Sequence, residues 1–416
     1  MNSEERRAAR RRRREAERAE KKARLAEACT FEAMTDMNAL HKAQRQAGRG
    51  VGWKGSTQRY QIHWLLHINK AHNDLVHGRD VCRGFHEFDI CERGKVRHIS
   101  SVHFSERVVQ KSLTQNVLIP SIKPSLIDRN AANIKGKGVS YSLACLKKDL
   151  VRHYARHGAE GYILLADFSN YFASIQHEHV KNLVCAHVSD PLARELEMRF
   201  IDVQGDVGLG LGSEPNQICA VSLPSPVDHF VVECLGVEAY GRYMDDSYMI
   251  HPDKDYLNAC LALLKDKCAQ YGIVLNDKKT HVTKLARGFT FLKKRVSFGD
   301  GGKVVMRPCR ESITRERRKL KKQAALVAAG VMTMEDVTAS YQSWRGSLAG
   351  LDAHGTLLSM DALFRELFAG GLAMKDPPPA SQFCRLTESP RQGGFSFQRS
   401  FRESPYEGIF LFKEYA

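Results

Sequence analysis

The sequence predicts an α+β fold in which an antiparallel sheet is covered by helices on one face. Apolar strand candidates are short and separated by amphipathic helical stretches, in the order strand, helix, helix, hairpin, helix, strand. A hydrophobic fraction of 43% beside 26% charged residues is that of a folded globular chain. At 416 residues there is room for two or three domains or one elaborated enzyme.

Taken in order, residues 6–24 are mostly Arg, Lys, Glu and Ala, a composition that favours helix but offers little to pack. Its densest part, Arg10-Arg11-Arg12-Arg13-Arg14, reads either as a solvated tail or as an arm along a phosphate backbone. The basicity of the rest of the chain favours the arm. Phe85-His86-Glu87-Phe88-Asp89-Ile90 alternates as a half-buried strand does, Glu92-Arg93-Gly94-Lys95 is a turn, and residues 96–99 return as a second strand. Gly136 and Gly138 precede an amphipathic helix through Leu143, Leu146 and Leu150.

Residues 162–166 are the most apolar strand and end in Asp167. A helix from about Gln176 follows, then a glycine-rich loop (residues 205–212) and a long apolar helix over about 215–232. Residues 240–250 read as strand, tight turn and strand, residues 256–271 as a helix, and short strands are expected near Val274 and at 289–292. Basic helical sequence runs from Ser312 to about Phe368, and Pro377-Pro378-Pro379 marks a stop or linker. There is no internal repeat.

Lys and Arg number 63 against 47 Asp and Glu, a net charge of +16 that makes nucleic acid the default partner. No stretch approaches the ~20 apolar residues of a membrane span, so no membrane partner is expected. Eleven cysteines scattered without a Cys-x-x-Cys pair argue against a zinc module or a disulfide scaffold and point to a reducing cytoplasmic setting.

Acidic side chains stand where apolar strands break off: Asp167 at one strand end, Asp245 and Asp246 in the turn of Tyr243-Met244-Asp245-Asp246. An Asp in a turn is usually turn chemistry alone. Two adjacent carboxylates repel, however, unless a cation sits between them and a third. Mg²⁺ takes oxygen ligands of this kind, and two ions about 3.5–4 Å apart can serve the attacking and leaving oxygens of a phosphoryl transfer.

Tyr243-Met244-Asp245-Asp246 resembles the YxDD box of reverse transcriptases, and further boxes follow the family's order. Glu92-Arg93-Gly94-Lys95-Val96-Arg97-His98-Ile99 is similar to the fingers segment, and Asp167-Phe168-Ser169-Asn170-Tyr171-Phe172 to the first catalytic box. Leu211-Gly212-Ser213-Glu214-Pro215-Asn216-Gln217 resembles the L-G-x-x-x-S-Q loop, with Asn216 where Ser is usual. Leu275-Asn276-Asp277-Lys278-Lys279-Thr280 resembles the next box, and Phe289-Thr290-Phe291-Leu292-Lys293 the primer grip.

This resemblance implies a right-hand polymerase: a basic helical extension at 1–50, fingers at 51–160, a palm at 161–300, a helical thumb at 301–370 and a tail at 371–416. It implies that Asp167, Asp245, Asp246 and the carbonyl of Phe168 hold two Mg²⁺ ions. Lys95 and Arg97 would meet the dNTP triphosphate, Phe172 would exclude a 2′-hydroxyl, and Gln217 would line the new base pair. Lys279, rather than Lys278, would protonate the leaving pyrophosphate. Nucleic-acid contacts are expected at Arg12, Arg13, Gly136, Gly138, Leu292, Lys293, Arg318 and Lys321. The implied activity is RNA-templated DNA synthesis, yielding an RNA–DNA duplex, with a dedicated structured noncoding RNA of antiphage defence as template. Alternatives are the enzyme of a diversity-generating or other retroelement, a protein-primed untemplated polymerase, and an RNA-binding protein with an inactive polymerase fold. The oligomeric state is not legible.

Other signals carry less. Gly208-Leu209-Gly210-Leu211-Gly212 lacks dinucleotide-loop spacing, and Gly136-Lys137-Gly138 lacks Walker spacing but leaves backbone open to a template. His177-Glu178-His179 reads as the wet face of a helix. The basic helix at 315–322, with Tyr341 and Trp344 beyond it, suits either a duplex or solvent. Aromatics at Phe395, Phe397, Phe401, Tyr406, Phe410 and Phe412 suggest a tail that docks on the body or stacks on RNA bases.

Overall fold

The computed structural model describes residues 3–92, 95–203 and 205–368; the side chains of Ser3, Glu92, Lys95 and Arg97, the turn at Arg93-Gly94 and the aromatic tail lie outside the described residues. The chain divides between Arg287 and Gly288 into two compact units.

In the first unit the Ser3–Ala28 helix carries its basic run fully exposed over residues 4–24, as its lack of apolar residues requires. Arg13 pairs with Glu17 and Arg11 with Glu15 one helical turn on. A two-stranded hairpin follows, β1 (Phe85–Glu92) and β2 (Lys95–Val102), antiparallel with Ile90 opposite Arg97 and Glu92 opposite Lys95. Then come β3 (Tyr162–Asp167), β4 (Tyr240–Tyr243), β5 (Asp246–His251) and β6 (His281–Lys284), which form an antiparallel sheet in the order β4-β5-β3-β6.

The α+β class is borne out, but helices cover the sheet on both faces rather than one. Tyr248 and Met249 point to opposite sides of β5. The hydroxyl of Tyr248 donates to Asp149 of the Val139–His157 helix, while Met249 packs in the core that holds Leu257, Cys260 and Leu264 of the Lys254–Ala269 helix. The sequence carries the reason: residues 163–166 are an unbroken apolar run without polar alternation, and every one of them is buried.

Three other expectations are corrected. The helix expected over 215–232 is broken into Glu214–Ser222, Ser225–His229 and a π-helical turn at Phe230–Cys234, because Pro224 and Pro226 supply no N–H. A further helix, Pro191–Asp202, stands before the glycine-rich loop, started by Asp190, which accepts from the backbone N–H of Ala193. Near Val274 the chain makes only an isolated bridge, Leu275 to Phe168, and the strand lies at β6.

The second unit holds β7 (Phe289–Phe291), β8 (Lys294–Phe298) and β9 (Val304–Pro308), an antiparallel sheet, and the helices Arg310–Ala328, Met334–Gly346 and His354–Phe368. Tyr341 is core here, not a nucleic-acid contact. Its ring stacks on Phe364 at 4.6 Å and its hydroxyl donates to Asp361 at 2.6 Å. Arg318 and Lys321 are exposed. The two-residue turn joining β7 to β8 is Leu292-Lys293, with φ of 44° and 60°. Both residues therefore sit in the left-handed region that such hairpin turns normally reserve for Asn and Gly, a strain that persists only where surroundings over-determine it.

Candidate active site

Three segments converge at one end of the first unit's sheet. Asp167, the last residue of β3, lies opposite Asp246, the first of β5. The backbone N–H of Phe168 donates to the carbonyl of Asp245 at 3.2 Å, so the Asp-Asp turn is sewn to the strand end beside it. On the other side, residues 274–280 fold against the same strand end. Ser169 N–H donates to Val274 at 2.8 Å, Asn276 N–H to the carbonyl of Asp167 at 2.8 Å, and Asp167 N–H to the Thr280 hydroxyl at 3.3 Å. That clasp aims Lys279, whose Nζ donates to both oxygens of Asp167 at 2.8 Å. The hydrogen bond to Asp167 holds the Lys279 ammonium above its ordinary pKa; burial opposes, and the charges of Asp167, Asp246 and Asp245 reinforce it. Asp167 pairs directly with this cation, and the charges of Asp246 and Asp245 act on it as well.

Burial, followed by the charges of Asp245 and Asp167, pushes the Asp246 carboxyl up to about 7, against a downward pull from Lys279. The folded site therefore binds a proton more tightly than the unfolded chain. That contribution to stability is complete below about pH 4 and is lost as pH rises through about 7. In chelator, the stability of the wild type relative to Asp246→Asn is expected to fall by about 4 kcal/mol across that window. A difference in melting temperature that stays flat from pH 4 to pH 8 would overturn this.

Among the described residues, no group of three or more His, Cys, Asp or Glu side chains stands in a coordinating arrangement. The donor chemistry nevertheless fits a hard divalent cation. Three carboxylates that repel one another, balanced by one ammonium, need further positive charge to ionise together.

Sequence reasoning missed the residues that hold the turn. Met244 has φ of 58°, a left-handed conformation costly for a side chain of its size. Its carbonyl accepts from Nη1 of Arg242 at 2.9 Å. Arg242 is wholly buried and pairs with both oxygens of buried Asp228 through Nε (2.8 Å) and Nη2 (2.7 Å). Burial alone would lower its pKa, but Asp228 more than offsets this and the net direction is up, so the guanidinium stays charged. Asp228 also accepts from the hydroxyl of Tyr240 at 2.6 Å.

The helix break supplies the remaining anchors. Pro224 has no N–H to offer Ala220, four residues back, and the Tyr171 hydroxyl donates to that carbonyl at 2.6 Å. The next carbonyl, Val221, accepts from Nη2 of Arg242 and from the Asn130 amide. Two prolines inside an apolar helix, and an Arg within an apolar strand, were the signals available.

Phe172 is half-buried at the core's edge, and its carbonyl accepts from Leu209 N–H at 2.7 Å. Gly208 and Gly212 let the glycine-rich loop lie close. Both have positive φ, and a Cβ on either would stand 3.2 Å from a backbone oxygen, of Ala173 and Ser100 respectively. The contact at Ser100 places this loop against β2, the strand that carries Lys95 and Arg97. His177 is not on a wet face: its Nε2 lies 2.8 Å from the carbonyl of Gly208 and pins the loop. Asn216 is buried and donates to Gly210 at 3.1 Å, while Gln217 accepts from Asn133 at 3.1 Å. Gly136 and Gly138 face open space, but Lys137 between them is engaged, donating to the Asp128 carboxylate at 2.9 Å. Arg12 and Arg13 lie on the exposed first helix, and Leu292, Lys293, Arg318 and Lys321 belong to the second unit.

A sequence model of the family described as reverse transcriptase (RNA-dependent DNA polymerase) matches residues 86–296, about half of the chain. Comparison with curated proteins finds no match. Among solved structures, the chain is similar to telomerase from Candida albicans in complex with a TWJ fragment of telomeric RNA, at 13% identity and a TM-score of 0.43. The alignment covers 69% of this chain and 55% of that one.

Proposed function

The chain belongs to the reverse transcriptase family, and from that premise we propose that it copies RNA into DNA by two-metal nucleotidyl transfer. The observation that carries this reading is the strand-end pairing of Asp167 with Asp246, beside Asp245 and under Lys279. Asp167, Asp245, Asp246 and the carbonyl of Phe168 would hold two Mg²⁺ ions. Bound there, the ions would supply Lewis-acid stabilisation at the attacking and leaving oxygens.

The chain's own residues do the rest. Lys279 is charged and one side-chain length from the carboxylates, so it can hand a proton to pyrophosphate once Asp167 is engaged elsewhere. The backbone N–H of Lys278 donates to the Asn276 side chain, within the clasp that turns Lys279 onto Asp167. Lys95 and Arg97, on the strand beside the Gly212 loop, would neutralise the triphosphate. The Phe172 ring would crowd a ribose 2′-hydroxyl and select dNTPs, and Gln217, held by Asn133, would line the base pair. Gly136 and Gly138, the strained Leu292-Lys293 turn, and exposed Arg318 and Lys321 would contact the template–product duplex. Arg12 and Arg13 would ride on phosphates of a structured RNA, with steep salt dependence.

We further propose that the template is a dedicated noncoding RNA of an antiphage system and that the protein works in the cytoplasm. Among the described residues, no helix is long and apolar enough to cross a membrane. Purified protein given Mg²⁺ and dNTPs is expected to make DNA only when RNA is present. Synthesis from dNTPs alone would favour an untemplated, protein-primed polymerase, and no synthesis with any RNA would favour an inactive fold. Sequencing cDNA from cells carrying the locus should return one dominant RNA. Products from dispersed transcripts, or from a variable-protein gene, would overturn the dedicated template.

A further inference from the structure

Between Asp36 and Asp74 the chain carries no Asp or Glu but six Lys and Arg, and three helices gather part of that charge. Gly55–Ile62, Trp64–Val76 and Phe104–Leu113 pack around Tyr60, whose ring stacks on His67 at 4.6 Å and meets Phe104 edge-on at 5.0 Å. Cations on and beside these helices form one continuous track. Lys54 is half-buried, and burial, then the charge of Arg107, lowers its pKa. Arg107 stands one helical turn beyond His103. Burial, then Arg83, His67 and Arg59, lowers the pKa of His103; burial, then His63 and Lys70, lowers that of His67.

Like charges set side by side destabilise one another unless an anion offsets them. The acids beside Arg83 are engaged with other groups. Buried Glu106 accepts from the Arg83 backbone N–H and from Gln110, both at 2.9 Å, and Asp80 accepts from the Cys82 N–H at 2.9 Å. At the head of the track, Trp53 leaves its indole 62% exposed, with the Lys54 ammonium 5.5 Å from the ring centre. Phosphates would answer the cations, and an open aromatic face beside them is a surface on which unpaired bases stack. A duplex keeps its base faces closed, so a single strand fits both features.

We propose that this track, from Trp53 and Lys54 to Lys70, binds a single-stranded segment of RNA through residues distinct from those of the catalytic end. A base stacks on Trp53, and phosphates lie on Arg59, His67, His103 and Lys70. The choice of RNA rests on the reverse-transcriptase reading above.

The test is fluorescence titration of the full chain with an adenosine oligoribonucleotide of about 16 nucleotides, without Mg²⁺ or dNTPs. Tryptophan emission should be quenched on binding. The quench should be lost in Trp53→Phe, which keeps a ring to stack on and should bind a labelled oligomer within about threefold of the wild type. Trp53→Ala should weaken binding about tenfold. Arg59→Ala/Lys70→Ala should weaken it about tenfold and make the slope of log affinity against log salt shallower by about 1.4, the value for two phosphates on a single strand. All three sites are exposed, so the variants should melt as the wild type does. The proposal is overturned if Trp53→Ala and Arg59→Ala/Lys70→Ala bind within about twofold of the wild type. It also falls if an RNA duplex quenches the emission as fully, if the deoxyadenosine oligomer binds more tightly than the RNA, or if only anionic lipid vesicles or polyglutamate cause the quench. Because no nucleotide is present, a chain that binds in this way but makes no DNA keeps this inference and loses the polymerase reading. A chain that makes DNA while RNA leaves Trp53 emission unaltered does the reverse.

Discussion

Asp245→Ala is expected to abolish primer extension, lowering the rate of single-nucleotide incorporation by at least about 10³-fold, while RNA binding stays within about twofold. The geometry separates the two effects. The turn is held by backbone and by neighbours: the Asp245 carbonyl accepts from Phe168 N–H, the Met244 carbonyl from Arg242, and Tyr243 pairs with Asp246 across the hairpin. None of these contacts uses the Asp245 carboxylate, so each of them persists when it is removed. It does take one of three negative charges from the site, which lowers its capacity for divalent cations and relieves Asp246 of its nearest repulsion. RNA affinity rests on cations elsewhere in a chain of net charge +16. Gel-based extension with one dNTP, paired with filter binding to labelled RNA, reads both quantities. An Asp245→Ala protein that still extends a primer at more than about a hundredth of the wild-type rate would refute the assignment of the site.

The second large effect is expected at a residue that touches neither substrate nor metal. Asp228→Ala leaves the buried guanidinium of Arg242 without its counter-charge and the Tyr240 hydroxyl without its acceptor. An uncompensated buried charge costs about 3–5 kcal/mol, which for a unit of this size lowers the melting temperature by about 10 °C. The triple replacement Asp228→Leu/Tyr240→Phe/Arg242→Met removes the buried charge pair and the tyrosine hydroxyl together and is expected to recover most of that loss. It should not recover activity, because Met244 then has no donor on its carbonyl to hold the left-handed turn that presents Asp245. Thermal unfolding and primer extension on the three proteins decide it. If the triple variant polymerises like the wild type, Arg242 does not position the turn. If Asp228→Ala melts like the wild type, the buried pair is not what supports this end of the sheet.

The chemistry-bearing carboxylates were legible because each interrupts an apolar stretch. Asp167 ends a run of four buried residues, and Asp245-Asp246 splits two strands too short to continue through a charge pair. The hairpin, with its alternating residues, and the basic helices were legible for the same local reason. Longer-range features were not. Only the family resemblance picked Lys279 over Lys278, and it is the fold of residues 274–280 against β3 that turns Lys279 onto Asp167. Tyr341 had the composition of a nucleic-acid contact and lies in the core, and His177 had that of a wet helix face and pins a loop.

Residue order alone therefore determined which elements form, where charge collects and which side chains could bind a divalent cation, since each depends on neighbours a few positions apart. Tertiary structure alone decided that Arg242 is buried against Asp228, and that the carbonyl freed by Pro224 and the one after it anchor Tyr171 and Arg242. These depend on partners from 14 to 49 residues distant in the chain, whose meeting follows from packing and from the need to satisfy buried polar groups.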